Sequence, residues 1–156
     1  MGRVEALWIK RARRGVMDPV DTAVAIVGRG LEGNAGFSRF RQVTLIEREV
    51  WAELMRETGG DAPPSARRAN VMVSGLSLRE SRGRLLAIGD VRLHVRGETR
   101  PCERMDEAVP GLRRAMERDW RGGVFAQVLV GGTVHVGDEA CWCDASSAPE
   151  SAPASG

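Results

Sequence analysis

From Asn70 to Val136 the apolar residues come in short runs, each closed by a turn signal, and that rhythm admits little besides a β-rich fold. Val71-Met72-Val73 stops at Ser74-Gly75. Residues 85–88 and 91–95 flank Gly89-Asp90, the outline of a hairpin or tight corner. In the second of these arms Val91, Leu93 and Val95 alternate with Arg92, His94 and Arg96, so one face is buried and the other wet. Residues 124–130 and 133–136, joined by Gly131-Gly132, predict a further hairpin.

The first half is more mixed. Residues 4–10 read as a strand and 11–15 as a basic turn. Asp18-Pro19 supplies an N-cap candidate followed by proline, which predicts a short buried helix over 20–27, stopped by Gly28 and Gly30. A glycine-rich loop follows over 31–40, then a strand over 42–46. Residues 47–58 read as a helix, with acids in the first turn and Val50, Trp51, Leu54 and Met55 on one face. Trp51 and Met55 are expected in the core. Another helical stretch is expected around Leu112, Met116 and Trp120. Short strands with a few helices between them predict a mainly β chain, a barrel with helical decorations.

The chain's 156 residues suit one domain with a real core. That domain is expected over residues 1–144, with 145–156, all small or polar apart from prolines, as a disordered tail. No apolar run approaches the ~20 residues needed to span a bilayer. The amino terminus lacks a basic stretch with an apolar region behind it, so no secretory signal is expected. Three cysteines without framework spacing suit a reducing compartment, the cytoplasm by default. Lys10 is the sole lysine among otherwise arginine cations. A GC-rich coding sequence and a need for planar, phosphate-gripping guanidinium groups would both produce that bias. Pyridoxal phosphate, which needs a Schiff-base lysine, is not expected.

Cys102 is the most informative single residue. Pro101 fixes the backbone before it, and Arg100 and Arg104 surround it with positive charge that favours a thiolate. A thiolate is a soft donor for a metal, yet a free cysteine is also often just a small buried hydrophobe. The residues alone leave both open. Arg67 and Arg68 read by themselves as a solvated basic pair. His94 and His135 fall on polar strand faces at no metal-binding spacing. Cys141 and Cys143 flank Trp142 beyond the expected last strand, in a segment read as capping the barrel with that tryptophan; a soft-metal pair and a strained disulfide are alternatives.

Four stretches in order resemble the MOSC family, the domain at the carboxyl end of molybdenum-cofactor sulfurases and in stand-alone bacterial proteins. They are Gly30-Leu31-Glu32-Gly33-Asn34 and Arg41-Gln42-Val43-Thr44-Leu45-Ile46-Glu47; then Ala66-Arg67-Arg68-Ala69-Asn70-Val71-Met72-Val73-Ser74-Gly75 with Ile88-Gly89-Asp90 and Arg100-Pro101-Cys102; and last Arg121-Gly122-Gly123-Val124 with Gly131-Gly132-Thr133 and Val136-Gly137-Asp138. The resemblance covers about residues 3 to 140. It implies a closed β-barrel of MOSC type whose cleft receives the molybdenum cofactor (molybdopterin), with Cys102 as the metal ligand and catalytic residue. Arg68 and Asn70 match an arginine-x-asparagine position that contacts the cofactor, and Arg41, Gln42 and Arg100 are expected around the same cleft. The chain departs from the pattern at Asn34-Ala35-Gly36, where many members carry aspartate and often histidine.

The function this implies is an oxidoreductase acting on N-hydroxylated or N-oxide small molecules, with electrons from a separate reductase. The alternative is a cofactor or sulfur carrier without turnover of its own. Nucleic acid is not an expected partner: acids interleave with the arginines and there is no tyrosine for stacking. No membrane partner is expected either.

Overall fold

The strand Val91–Glu98 alternates buried and half-buried side chains without a break, and it is the middle of the architecture that its neighbours build. A computed structural model describes residues 2–143. In chain order the elements are β1 (Gly2–Lys10), β2 (Met17–Val20), β3 (Thr22–Ile26), β4 (Gly30–Leu31), β5 (Val43–Glu47), α1 (Arg48–Thr58), a 3-10 turn (Pro64–Arg67) and β6 (Val71–Ser74). Then come β7 (Leu85–Ile88), β8 (Val91–Glu98), α2 (Arg104–Ala108), α3 (Leu112–Met116), β9 (Val124–Val130), β10 (Gly132–His135) and β11 (Glu139–Cys143). Strands run β11-β7-β8-β9-β5-β6-β1, and β1 pairs back with β11, so the sheet is a closed barrel. The chain is mainly β, with short helices, as its rhythm predicts. The expected tail over 145–156 lies outside the described residues.

Closure rests on a short seam, Gly2 opposite Ala140 and Arg3 opposite Glu139. The rest of that edge of β1 is taken by β2, from Leu7 opposite Val20 to Lys10 opposite Met17. One pairing is parallel, β5 with β6. A parallel step needs a long crossover, and here the crossover carries α1 and the 3-10 turn. Inside the barrel Val4, Leu45, Val73, Leu86, Ile88, Val95, Val124 and Ala126 form a dry core. A second, smaller core lies outside it, where Trp51 and Leu54 of α1 meet Met105, Val109, Leu112 and Met116. Each fully buried Leu or Met there contributes about 1.5–3 kcal/mol of burial. Gly89-Asp90 closes a tight hairpin between β7 and β8, with Ile88 opposite Val91.

Three expectations fail. The helix over 20–27 is instead the end of β2 and all of β3, whose Thr22 to Ala25 alternate exposed and buried. Pro19 is tolerated because β2 ends the sheet order, where a missing N–H breaks no ladder on its far side. The hairpin across Gly131-Gly132 does not exist either. β9 pairs with β8 and β5, while β10 leaves the barrel for a three-stranded sheet with β3 and β4. Finally, Cys141 to Cys143 are not a cap beyond the last strand but part of the last strand itself, β11, although Trp142 does pack against the barrel core. The last expected helix ends at Met116, and Trp120 sits in a turn with positive φ.

Candidate functional site

The cleft lies over the outer face of β5. Leu45 points into the barrel, so by alternation Thr44 and Ile46 point out of it. Above them converge the end of β1 with Lys10, the end of the 3-10 turn with Arg67 and its capping residue Arg68, the segment after β8 with Thr99 and Cys102, the start of α2 with Arg104, and Gly122 before β9. The cleft holds about 190 Å³. A smaller recess of about 60 Å³, lined by Asn34, Gln42 and Asn70, shares Lys10, Arg41, Thr44 and Arg68 with it.

Cys102 is a free, exposed thiol on the cleft wall. Its own carbonyl accepts from the N–H of Met105, and Met105 is buried in the second core. That contact fixes the cysteine's segment against α1. Thr99, three residues earlier, continues the β8–β9 ladder by donating its N–H to Gly123 O at 2.9 Å. Its hydroxyl is buried and has no hydrogen-bond partner among the described residues, an orphan in a wall of the cleft.

Arg67 is 8% exposed. Its Nε donates to Gly122 O at 3.0 Å and its Nη2 to Thr99 O at 3.1 Å, which leaves other donors of the guanidinium unspent. Position 122 must be glycine, because a Cβ there would overlap the Thr99 carbonyl and crowd the Arg67 Nη2. Burial, and then the neighbouring Arg41, push the Arg67 pKa down to about 10. Arg68 adopts the left-handed conformation at φ 64 and ψ 36, which ends the 3-10 turn and separates the two side chains. Its Nη2 donates to Gly15 O at 2.6 Å. Lys10 is held below the usual lysine range by partial burial and then by Arg68, Arg41, Arg104 and Arg13. No carboxylate lines the cleft among the described residues. Cations this crowded favour an anion between them.

The structure thus brings Arg41, Arg68 and Cys102 together. Arg100 is exposed and does not line the cleft. Gln42 and Asn70 line the recess, but their amides are engaged by the protein. Gln42 donates to Arg39 O and accepts from Val128 N–H. Asn70 Nδ2 donates to Trp8 O and Asn34 Oδ1, and its Oδ1 accepts from the Thr44 N–H. Both shape the floor. Asn34, where the sequence departs from pattern, accepts through one oxygen from Lys10 N–H and Asn70 Nδ2, a role an amide fills without charge. Sequence reading missed Lys10, Arg67 and Thr99. For Arg67 the only signal was Gly122, whose partner across the cleft no local pattern reveals.

Elsewhere, His94 is half-buried beside Arg96 and His135 is exposed beside Asp138. No group of three or more His, Cys, Asp or Glu side chains among the described residues could hold a bare metal ion. No described helix is long and apolar enough to cross a membrane.

Comparison with known proteins gives a consistent set of relatives. The family described as MOSC domain matches residues 32–140. The crystal structure of the YuaD protein from Bacillus subtilis superposes with a TM-score of 0.75 at 25% identity, covering 90% of this chain and 94% of that one. YiiM from Geobacillus stearothermophilus superposes at 0.72 with 13% identity, over 92% of this chain and 76% of that one. For YiiM from Escherichia coli the values are 0.68 and 17%, over 91% and 70%. No curated protein matches the chain significantly in sequence.

Proposed function

The chain belongs to the MOSC domain family, and from that premise we propose that it binds the molybdenum cofactor through Cys102 and the cationic cleft, as an oxidoreductase for N-hydroxylated or N-oxide small molecules. One observation carries this reading. An exposed thiol opens onto a cleft whose other polar walls are guanidinium groups, an ammonium and an orphan hydroxyl. The donor set suits a metal that arrives with sulfur ligands of its own, because the protein offers one thiolate and little else. It suits a phosphate-bearing ligand equally, since arginine forks grip phosphate in two places at once.

When bound, the cofactor would supply the redox chemistry for cleaving an N–O bond. The rest falls to this chain. Cys102 would hold the metal through its sulfur. Arg67, held by two carbonyls, and Arg68, tied to Gly15, present charge in fixed positions. The Thr99 hydroxyl supplies a hydrogen bond that the protein leaves unused. Lys10 and Arg41 span cleft and recess and orient the anionic end. A separate reductase delivers electrons, and the cytoplasm is the setting that suits three free thiols.

The test is molybdenum content and turnover of protein made in a cofactor-competent host, with a chemical electron donor and a hydroxylamino compound. About one molybdenum per chain and turnover, both lost in Cys102→Ser, are expected. Cys102 is exposed, so this variant keeps the fold. Bound cofactor without turnover would replace the enzyme with a carrier. Absence of molybdenum from the wild type would end both readings.

A further inference from the structure

Cys141 and Cys143 lie outside the cleft and play no part in the reading above. They stand two residues apart on β11, so strand alternation puts both sulfur atoms on one face. Ala140, wholly buried in the barrel core, and Trp142, packed against that core, occupy the other face. The cysteines therefore look outward. Cys141 is exposed, Cys143 is partly so, and both are free thiols.

A regular strand separates such a pair by roughly 6.7 Å at Cβ as well as Cα. A disulfide needs Cβ atoms about 3.5–4.5 Å apart, so the intact strand keeps the pair from closing on itself. A single bridging atom changes the geometry. Two sulfur–metal bonds of about 2.3 Å in line span roughly 4.6 Å, which sulfur atoms leaning toward each other can reach without distorting the backbone. Among the described residues the neighbours offer nothing more. Cys141 pairs with Ala87 and Cys143 with Leu85, while His94, next across from Leu85, is a further strand away. The pair by itself meets the needs of a cation content with two ligands, and no group of three donors forms among the described residues.

The geometry points to a second metal site, a bis-thiolate clamp formed by Cys141 and Cys143 for a soft, two-coordinate cation, with Cu(I) as the type. Soft sulfur donors select such ions over the harder divalent metals. Binding releases one proton from each thiol, forms two S–Cu bonds and transfers no electron. The site is remote in sequence and register from Cys102 and needs no molybdenum cofactor.

The test uses the full chain without cofactor, under reducing anaerobic conditions, and titrates it with Cu(I) held by a coloured chelator. The Cys102→Ser protein is expected to take one Cu(I) per chain. Adding Cys141→Ser or Cys143→Ser should weaken binding by at least about 100-fold, because the second thiolate is no longer held beside the first. In the wild type, Cu(I) should protect Cys141 and Cys143 together from alkylation, read by peptide mass. Binding unchanged by either serine, or protection confined to Cys102, overturns the clamp.

Discussion

Replacing Arg67 with methionine separates what the cleft needs from what the fold needs. Burial first, then Arg41, pull the Arg67 pKa well below the ordinary guanidinium range, to about 10. At ~1.36 kcal/mol for each tenfold change in proton affinity, keeping this guanidinium charged at neutral pH costs about 3 kcal/mol. Methionine removes that penalty and keeps most of the volume, but it strips Gly122 O and Thr99 O of their donor. Two buried carbonyls left bare cost about 1–3 kcal/mol each. The opposing contributions leave Arg67→Met about 1 kcal/mol less stable than wild type, and no more than about 3, in urea unfolding at pH 7. Molybdenum retention should fall by at least tenfold, since a fixed charge facing the anion is gone. The sign of the pH effect is also set. Above the folded value near 10 and below the ordinary guanidinium range the unfolded chain holds more protons, so wild-type stability rises with pH there relative to the variant. A loss above about 4 kcal/mol, with metal retention otherwise intact, would make Arg67 a residue of the fold and not of the cleft.

Two further variants probe the surroundings. Leu54→Ala empties a fully buried position in the second core and should cost about 2–5 kcal/mol; because that core also holds Met105, alkylation of Cys102 should quicken in the same protein. Glu47 is pushed above the usual carboxylate range by burial, with Glu49 and Glu53 adding to the shift, although the Leu78 N–H on its Oε2 opposes it. The folded state therefore holds a proton that the unfolded state gives up, and stability declines as pH climbs through the ordinary carboxylate range. Glu47→Gln should melt higher than wild type at pH 7, with the gap closing near pH 4.

What the sequence made legible was whatever depends on neighbours along the chain. The alternation in β8, the Gly89-Asp90 corner and the amphipathic α1 all appear where local chemistry puts them. Failures came where pairing is distant. Gly131-Gly132 reports that the chain turns, but not that β10 will seek β3, more than a hundred residues earlier. Asp18-Pro19 imitates a helix start because a proline at N1 and a proline on an edge strand look alike without a partner strand in view. The site divides the same way. Cys102 was singled out by the family resemblance, its neighbours alone leaving two readings open, whereas Arg67 became legible only when Gly122 and Thr99 arrived from elsewhere to enclose it.

The short seam between β1 and β11 sets a timetable. Gly2 and Arg3 meet Ala140 and Glu139 across the two margins of the sheet, with Val4 bonded to Gly137 and Asp138 beside them, so closure waits on residues far apart in the chain. Until then β1 is held by β6 and β2 alone, which is enough to set Lys10 opposite Met17. Without Glu139 and Ala140 the cylinder cannot close, so its last seam is a non-local pairing of the kind that forms slowly.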